Sequence, residues 1–166
     1  MPPTKLGTTL SIDRVDIHSE TAQTLILELN GELSNRYAEP GATHFRLDAD
    51  EVALGRGGFF VAAVGGLPAG CGAFRRMTYG DDDCVGELKR MFVRPGHRGK
   101  GIGRALLDRL ESEARALGMT RIVLETGTRQ PEAIALYEGV GFTRIALYGE
   151  YLGSSFSVCM TKTLSA

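Results

Sequence analysis

The stretch Met91-Phe92-Val93-Arg94-Pro95-Gly96-His97-Arg98-Gly99-Lys100-Gly101-Ile102-Gly103-Arg104 decides the fold. A strand ends at Val93, glycine recurs at every second position from Gly99, and a helix opens at Ile102. Glycine accepts the left-handed backbone that lets successive N–H groups converge on an anion. The first turn of the helix adds unpaired donors and the positive end of its dipole. Arg98, Lys100 and Arg104 add full positive charges. By its chemistry this is a phosphate cradle.

It is not the loop of a nucleotide triphosphatase. Gly99-Lys100 is followed by Gly101, where Ser or Thr would stand, and Arg94 occupies the place of the leading glycine. A dinucleotide fingerprint also fails, because Leu106 stands where the third glycine is needed. That motif also opens its domain near the first strand, whereas this one lies past the middle of the chain. The pattern that fits is Arg98-x-x-Gly101-x-Gly103.

Working outward, Leu10-Ser11-Ile12-Asp13 alternates as a strand does. Ser19 caps a helix whose apolar face is Ala22, Leu25, Ile26, Leu29, Leu33 and Tyr37, ended by Pro40-Gly41. Asp48 and Glu51 have the spacing of a capping box on a second, short helix, with Leu47 and Val52 as its staple. The runs 59–64, 69–77 and 85–93 read as strands joined by turns at Gly65-Gly66-Leu67-Pro68 and Tyr79-Gly80-Asp81-Asp82-Asp83. Val85, Leu88 and Met91 break strict alternation, the mark of a β-bulge. Beyond the glycine loop, Ile102, Ala105, Leu106, Leu110 and Leu117 share a helix face and Gly118 ends it. A strand over 121–126, a helix from Pro131 to about Gly139, and strands over 142–148 and 156–162 complete the chain. The single strand–loop–helix–strand crossover implies one parallel pair in a mostly antiparallel sheet.

With these elements in place, the chain resembles the GNAT superfamily of acetyl-CoA-dependent N-acetyltransferases. Arg98-x-x-Gly101-x-Gly103 is similar to that family's pyrophosphate loop, and Ala133-Ile134-Ala135-Leu136-Tyr137-Glu138-Gly139-Val140-Gly141-Phe142 to its Ala-x-x-Leu-Tyr…Gly-Phe helix. The likeness is strong from Val85 to Phe142 and rests elsewhere on element order. It implies an α/β mixed fold: one domain over 1–166, with a sheet of about seven strands splayed between the fourth and fifth and helices on both faces.

The resemblance also implies roles. The backbone of Met91, Phe92 and Val93 would pair with the pantetheine arm of acetyl-CoA. An N–H near Phe92 or Val93 would serve as oxyanion donor, a role worth roughly 3 kcal/mol in other acyl transfers. Arg98, Gly99, Lys100, Gly101, Ile102, Gly103 and Arg104 would bind the pyrophosphate. Tyr137, by spacing alone an aromatic packed on the sheet, would protonate the departing thiolate. Glu87 would be the general base, directly or through water; its alternative is a solvent-facing strand residue paired with Lys89 or Arg75. Gln130 stands where many relatives carry a cofactor-contacting Asn, and its longer amide keeps the same donor and acceptor. His44, Phe45, Tyr148, Glu150 and Tyr151 fall where the family admits its acceptor. Leu124-Glu125-Thr126-Gly127 and Ser157-Val158-Cys159-Met160-Thr161-Lys162 look like a broad group of bacterial GNAT proteins with mostly unassigned acceptors.

The activity implied is transfer of acetyl from acetyl-CoA to a primary amine of a small molecule or peptide, through a tetrahedral intermediate and without metal. A non-catalytic CoA-binding module, a transferase of another acyl-CoA and a nucleotide-binding interaction protein are the alternatives. Homodimerisation through sheet edges is common in such proteins and stays open here.

Composition narrows the remaining classes. With 19 Lys+Arg against 20 Asp+Glu in 166 residues, no basic field points to nucleic acid or an anionic membrane. No apolar run reaches the roughly 18 residues a membrane span needs. Met1-Pro2-Pro3-Thr4-Lys5 lacks the apolar core of a signal peptide, so the cytoplasm is the expected compartment. Cys71, Cys84 and Cys159 are scattered and odd in number, which speaks against a disulfide scaffold or a structural zinc site. They read as small buried apolar groups.

Overall fold

The strand Gly57–Val64 (β2) shows how the sheet is built. Side chains alternate along a strand. Phe59 and Val61 therefore face one helix layer, while Phe60 and Ala62 face another. A computed structural model describes residues 9–40 and 46–164, and the elements below are drawn from these.

β1 (Leu10–Arg14) lies at one edge, antiparallel to β2. The two-residue turn Gly65-Gly66, with φ of 57° and 82°, leads into β3 (Leu67–Tyr79). Both glycines hold the left-handed backbone that a tight hairpin requires. β4 (Asp82–Val93) returns antiparallel to β3. β5 (Arg121–Gly127) is parallel to β4, as the crossover requires. β7 (Ser157–Thr163) then inserts between β5 and β6 (Thr143–Ile145), giving the order β1-β2-β3-β4-β5-β7-β6.

Three α-helices cover the faces. α1 (Glu20–Arg36) is capped by the Ser19 hydroxyl, which accepts from the Ala22 N–H at 3.2 Å. It packs on Phe59, Val61, Cys71, Ala73 and Phe92. α2 (Ile102–Ala116) and α3 (Pro131–Gly139) cover the opposite face, where Phe60, Phe74, Leu88, Ile122, Leu124 and Met160 form the main core. None of the described helices is long and apolar enough to cross a membrane.

The parallel pairing of β4 with β5 covers only Val85–Leu88 against Arg121–Leu124. Beyond Leu88 the two strands part. The cause lies on the other side of β4, where Cys71 pairs with Phe92 but Ala73 pairs with Lys89. Gly72 thus faces an extra residue, a β-bulge of the kind the broken alternation predicts. Its centre is Arg90, which has a φ of 60°. A left-handed non-glycine residue costs about 1–2 kcal/mol and persists only where its surroundings hold it. Here the Arg90 guanidinium donates to the Asn30 side chain and to the Ile26 carbonyl of α1.

Two sequence expectations change. The helix expected to run to Pro40-Gly41 ends at Arg36, and Tyr37 is its cap, with the side chain buried. The strand expected over 142–148 is only Thr143–Ile145. Leu147, Tyr148 and Tyr151 do not alternate across a sheet but fold onto Val85, Val123 and Cys159.

Candidate functional site

The cradle forms as its glycines dictate. Gly99 and Gly101 have φ of 75° and 81°, and Gly101 caps α2. The Arg98 N–H donates to the Pro95 carbonyl at 3.3 Å. The amides of Gly99 through Arg104 find no acceptor among the described residues. They are the orphan donors expected of an anion-binding helix start. A Cβ on Gly103 would lie 3.0 Å from the Leu136 side chain, so that glycine lets α2 approach α3 closely.

The loop opens onto a cleft of about 290 Å³ bounded by α1, the end of β4, α2 and α3. Met91, Phe92, Val93, Arg98, Gly99, Gly101, Ile102, Gly103, Arg104, Gln130 and Tyr137, all expected from the sequence, line it together. Lys100, expected with them, is exposed and does not line it. The Arg98 guanidinium is already engaged: it donates to Val93 O at 2.8 Å and to Glu32 of α1 at 2.7 Å. Gln130 caps α3, and its side-chain oxygen accepts from the Gly127 N–H at 3.0 Å.

A smaller compartment of about 90 Å³ adjoins the first. Leu29, Met91, Gln130, Ala133 and Tyr137 line both, so Tyr137 stands at their junction. Tyr137 is 5% exposed and makes an edge contact with Phe142, and its hydroxyl has no hydrogen-bond partner among the described residues. Burial, helped by the charge of Glu125, pushes its proton affinity up, so it remains a phenol at neutral pH.

The smaller compartment is lined by Lys89, Glu125, Thr126 and Tyr151 as well. Glu125 is half-buried, and desolvation raises it from the ordinary 4.5 to about 7. Its hydrogen bond from Ser157 and the Lys89 charge oppose that rise, while Glu87 and Glu150 add to it.

Glu87, expected to be the base, stands elsewhere. It is 2% exposed and lines neither compartment. One carboxylate oxygen accepts from Arg75 Nε at 2.8 Å and the other from the Tyr148 hydroxyl at 2.6 Å. The Lys89 ammonium lies 3.8 Å away. The pairings with Arg75 and Lys89 are those the sequence suggested, but the residue is enclosed rather than solvent-facing. Arg75 also reaches Glu51 at 2.5 Å, and Lys89 reaches Glu150 at 3.7 Å, so the charges form one chain. Of the residues placed near an acceptor, Tyr151 lines the smaller compartment, Tyr148 packs beneath it, and His44 and Phe45 lie outside the described residues.

The signal for Glu125 and Ser157 was present in the two segments that look like the bacterial group. Nothing local to either segment shows that they meet. Cys71 and Cys159 are buried as expected, and burial raises their thiols to about 12 and about 11.

A family model described as the Acetyltransferase (GNAT) family matches residues 22–142. The chain belongs to the GNAT acetyltransferase family. Within it, the chain is 42% identical over 140 residues to the IAA acetyltransferase of Azospirillum brasilense, covering 84% of this chain and 88% of that one. A Klebsiella pneumoniae protein assigned as an acyl-CoA N-acyltransferase has the same fold, with a TM-score of 0.79 and 27% identity over 95% of this chain and 99% of that one. The Salmonella typhimurium acetyltransferase yncA, solved with its cofactor acetyl-CoA, shares the fold at a TM-score of 0.65 and 23% identity, covering 94% of each chain. The seven-stranded sheet opened between β4 and β5 is the GNAT architecture expected from the sequence.

Proposed function

We propose that this GNAT protein transfers an acetyl group from acetyl-CoA to a primary amine of a small molecule or peptide. One observation carries the reading. Gly99, Gly101, Ile102, Gly103 and Arg104 with their unengaged amides, the stretch of β4 that has left β5, and Tyr137 line a single cleft, with the half-buried carboxylate of Glu125 next to it. The donor set suits a diphosphate: converging N–H groups, a helix start, and Arg98 and Arg104 beside them. The gap that opens after Leu88 leaves room for an extended thioester arm along Met91, Phe92 and Val93. An N–H of Phe92 or Val93 stabilises negative charge as it develops on the thioester oxygen.

Glu125 takes the place that Glu87 was expected to hold. An alkylammonium cannot attack until it loses a proton, and a carboxylate titrating near neutrality is matched to receive it. The freed nitrogen lone pair then attacks the thioester carbonyl. Tyr137 gives its proton to sulfur as the carbon–sulfur bond breaks, and the second nitrogen proton restores the phenol as the amide forms. Glu125 releases its proton to solvent, so the balance is one amide, one thiol and one proton. Glu87 holds Arg75, Tyr148 and Lys89 in place and touches no reacting atom.

The test is thiol release from acetyl-CoA over a panel of amines, repeated with propionyl- and succinyl-CoA. Amine-dependent release that is fastest with acetyl-CoA is the expected result. CoA binding without release to any amine would overturn the reading in favour of a non-catalytic module.

A further inference from the structure

Glu125 lies on β5 opposite Cys159 of β7, and Ser157 is the next residue of β7 on the same face. This diagonal brings the Ser157 hydroxyl to 2.6 Å from Glu125 Oε2. Ser154, in the loop that precedes β7, lies 2.9 Å from the same hydroxyl. A serine has one hydroxyl proton. The short contact to a carboxylate takes the Ser157 proton, so Ser154 is the donor in the second contact. Ser154 in turn accepts from the Phe156 N–H at 3.3 Å. The result is a directed chain from a backbone amide through two hydroxyls to one carboxylate oxygen. Chains of this kind polarise in one sense and favour the charged acceptor at their end.

We propose that Ser157, backed by Ser154, is a positioning residue that holds Glu125 as the carboxylate facing the smaller compartment, where the amine would enter. The inference rests on Glu125 being the proton acceptor of the proposed reaction. The other groups around Glu125 divide in sign. Lys89 of β4 favours the anion, whereas Glu87 of β4 and Glu150 of the turn before β7 oppose it. Tyr137 of α3, Tyr37 at the end of α1, Tyr151 and Cys159 also feel its charge and are themselves uncharged at neutral pH. Lys89 is shared with Glu87 and Glu150. Among the described residues, Ser157 is the group that meets the Glu125 carboxylate at hydrogen-bonding distance. Its threonine homologue keeps the hydroxyl, and alanine removes it.

The experiment is a carbon-13 carboxyl titration of the full chain labelled at glutamate, with the Glu125 resonance assigned by its loss in Glu125→Gln. Deleting a hydrogen bond to a charged group predicts that the Glu125 midpoint rises by about one pH unit in Ser157→Ala. Ser157→Thr returns it to the wild-type value, and Ser154→Ala gives a smaller rise. General loosening of β7 would not reproduce this ordering. A Ser157→Ala midpoint equal to wild type in a folded variant overturns the inference. Amine-dependent thiol release that survives in Glu125→Gln instead overturns Glu125 as the proton acceptor, and leaves a shifted midpoint as a fact about Ser157 alone.

Discussion

The guanidinium of Arg98, the signature arginine of the cradle, lies 2.7 Å from the carboxylate of Glu32, a residue of α1 that lines the same cleft. A carboxylate is thus held where a diphosphate is proposed to bind, and the two anions compete for one cation. The pair is partly exposed, so the competition is worth roughly 0.2–1 kcal/mol. Glu32→Gln is expected to tighten CoA binding by about 1.5- to 5-fold. Arg98→Ala is expected to weaken it by about 10-fold. Calorimetric titration with CoA measures both, and equal affinities in all three proteins would remove Arg98 from the site.

The Tyr137 hydroxyl makes no hydrogen bond to the described residues, so Tyr137→Phe strips away a proton donor and little else. Turnover at saturating acetyl-CoA should fall by a factor of about 10² or more. The dissociation constant for CoA should stay within about 2-fold, because the ring still packs against Phe142. A variant that keeps its turnover would exclude the phenol from the reaction.

Glu125 couples function to stability through pH. Its carboxyl titrates near 7 when folded and near 4.5 when unfolded. Between those values the folded protein holds a proton that the unfolded chain has released, so stability falls as pH rises through this window. Glu125→Gln cannot release that proton. The variant should therefore gain on wild type by up to roughly 3 kcal/mol between pH 4 and pH 8 while losing turnover. Urea unfolding at several pH values measures the difference, and a constant gap across the range would refute it.

Glu87 is enclosed with Arg75 and Tyr148, and its removal leaves the buried Tyr148 hydroxyl without its acceptor and Arg75 with one of its two carboxylates. Glu87→Ala should cost about 2–4 kcal/mol, below the full price of a dry ion pair because Arg75 is 29% exposed and keeps Glu51. Glu87→Gln should recover part of that loss by still accepting from Tyr148. Thermal unfolding separates the two, and a Glu87→Ala protein as stable as wild type would contradict the network.

Gly70 pairs with Val93, and a Cβ placed on it would sit 2.5 Å from the Phe92 carbonyl oxygen. The clash is with backbone, so β4 itself must move. Gly70→Ala should cost about 1–3 kcal/mol in stability and raise the KM for acetyl-CoA. An unchanged KM would mean that the register of Phe92 and Val93 does not matter to the thioester.

Several parts of the molecule are local and were legible in the residues. Gly99, Gly101 and Gly118 take the left-handed φ their positions suggested, Ser19 caps α1, and Pro131 opens α3. The bulge in β4 showed as a break in alternation between Val85 and Met91, though not at which residue. α1 is shorter than the helical spacing of Tyr37 implies. Its side chain is in fact turned to accept from the Arg129 N–H at 2.8 Å, a partner 92 positions away.

The glycine cradle, the helix that carries Tyr137 and the single parallel crossover are written locally in the residues, because each depends on φ preferences, caps and spacing within a few residues. Packing sets which of Glu87 and Glu125 reaches the compartment beside Tyr137. Whether Glu87 or Glu125 could serve depends on how α1, β4 and β7 pack around them. Those contacts join residues dozens of positions apart, such as Glu125 with Ser157 and Glu32 with Arg98. No local pattern encodes such pairings. They follow from β7 inserting beside β5 and from α1 lying over the gap in the sheet, and burial then sets the charge of each group.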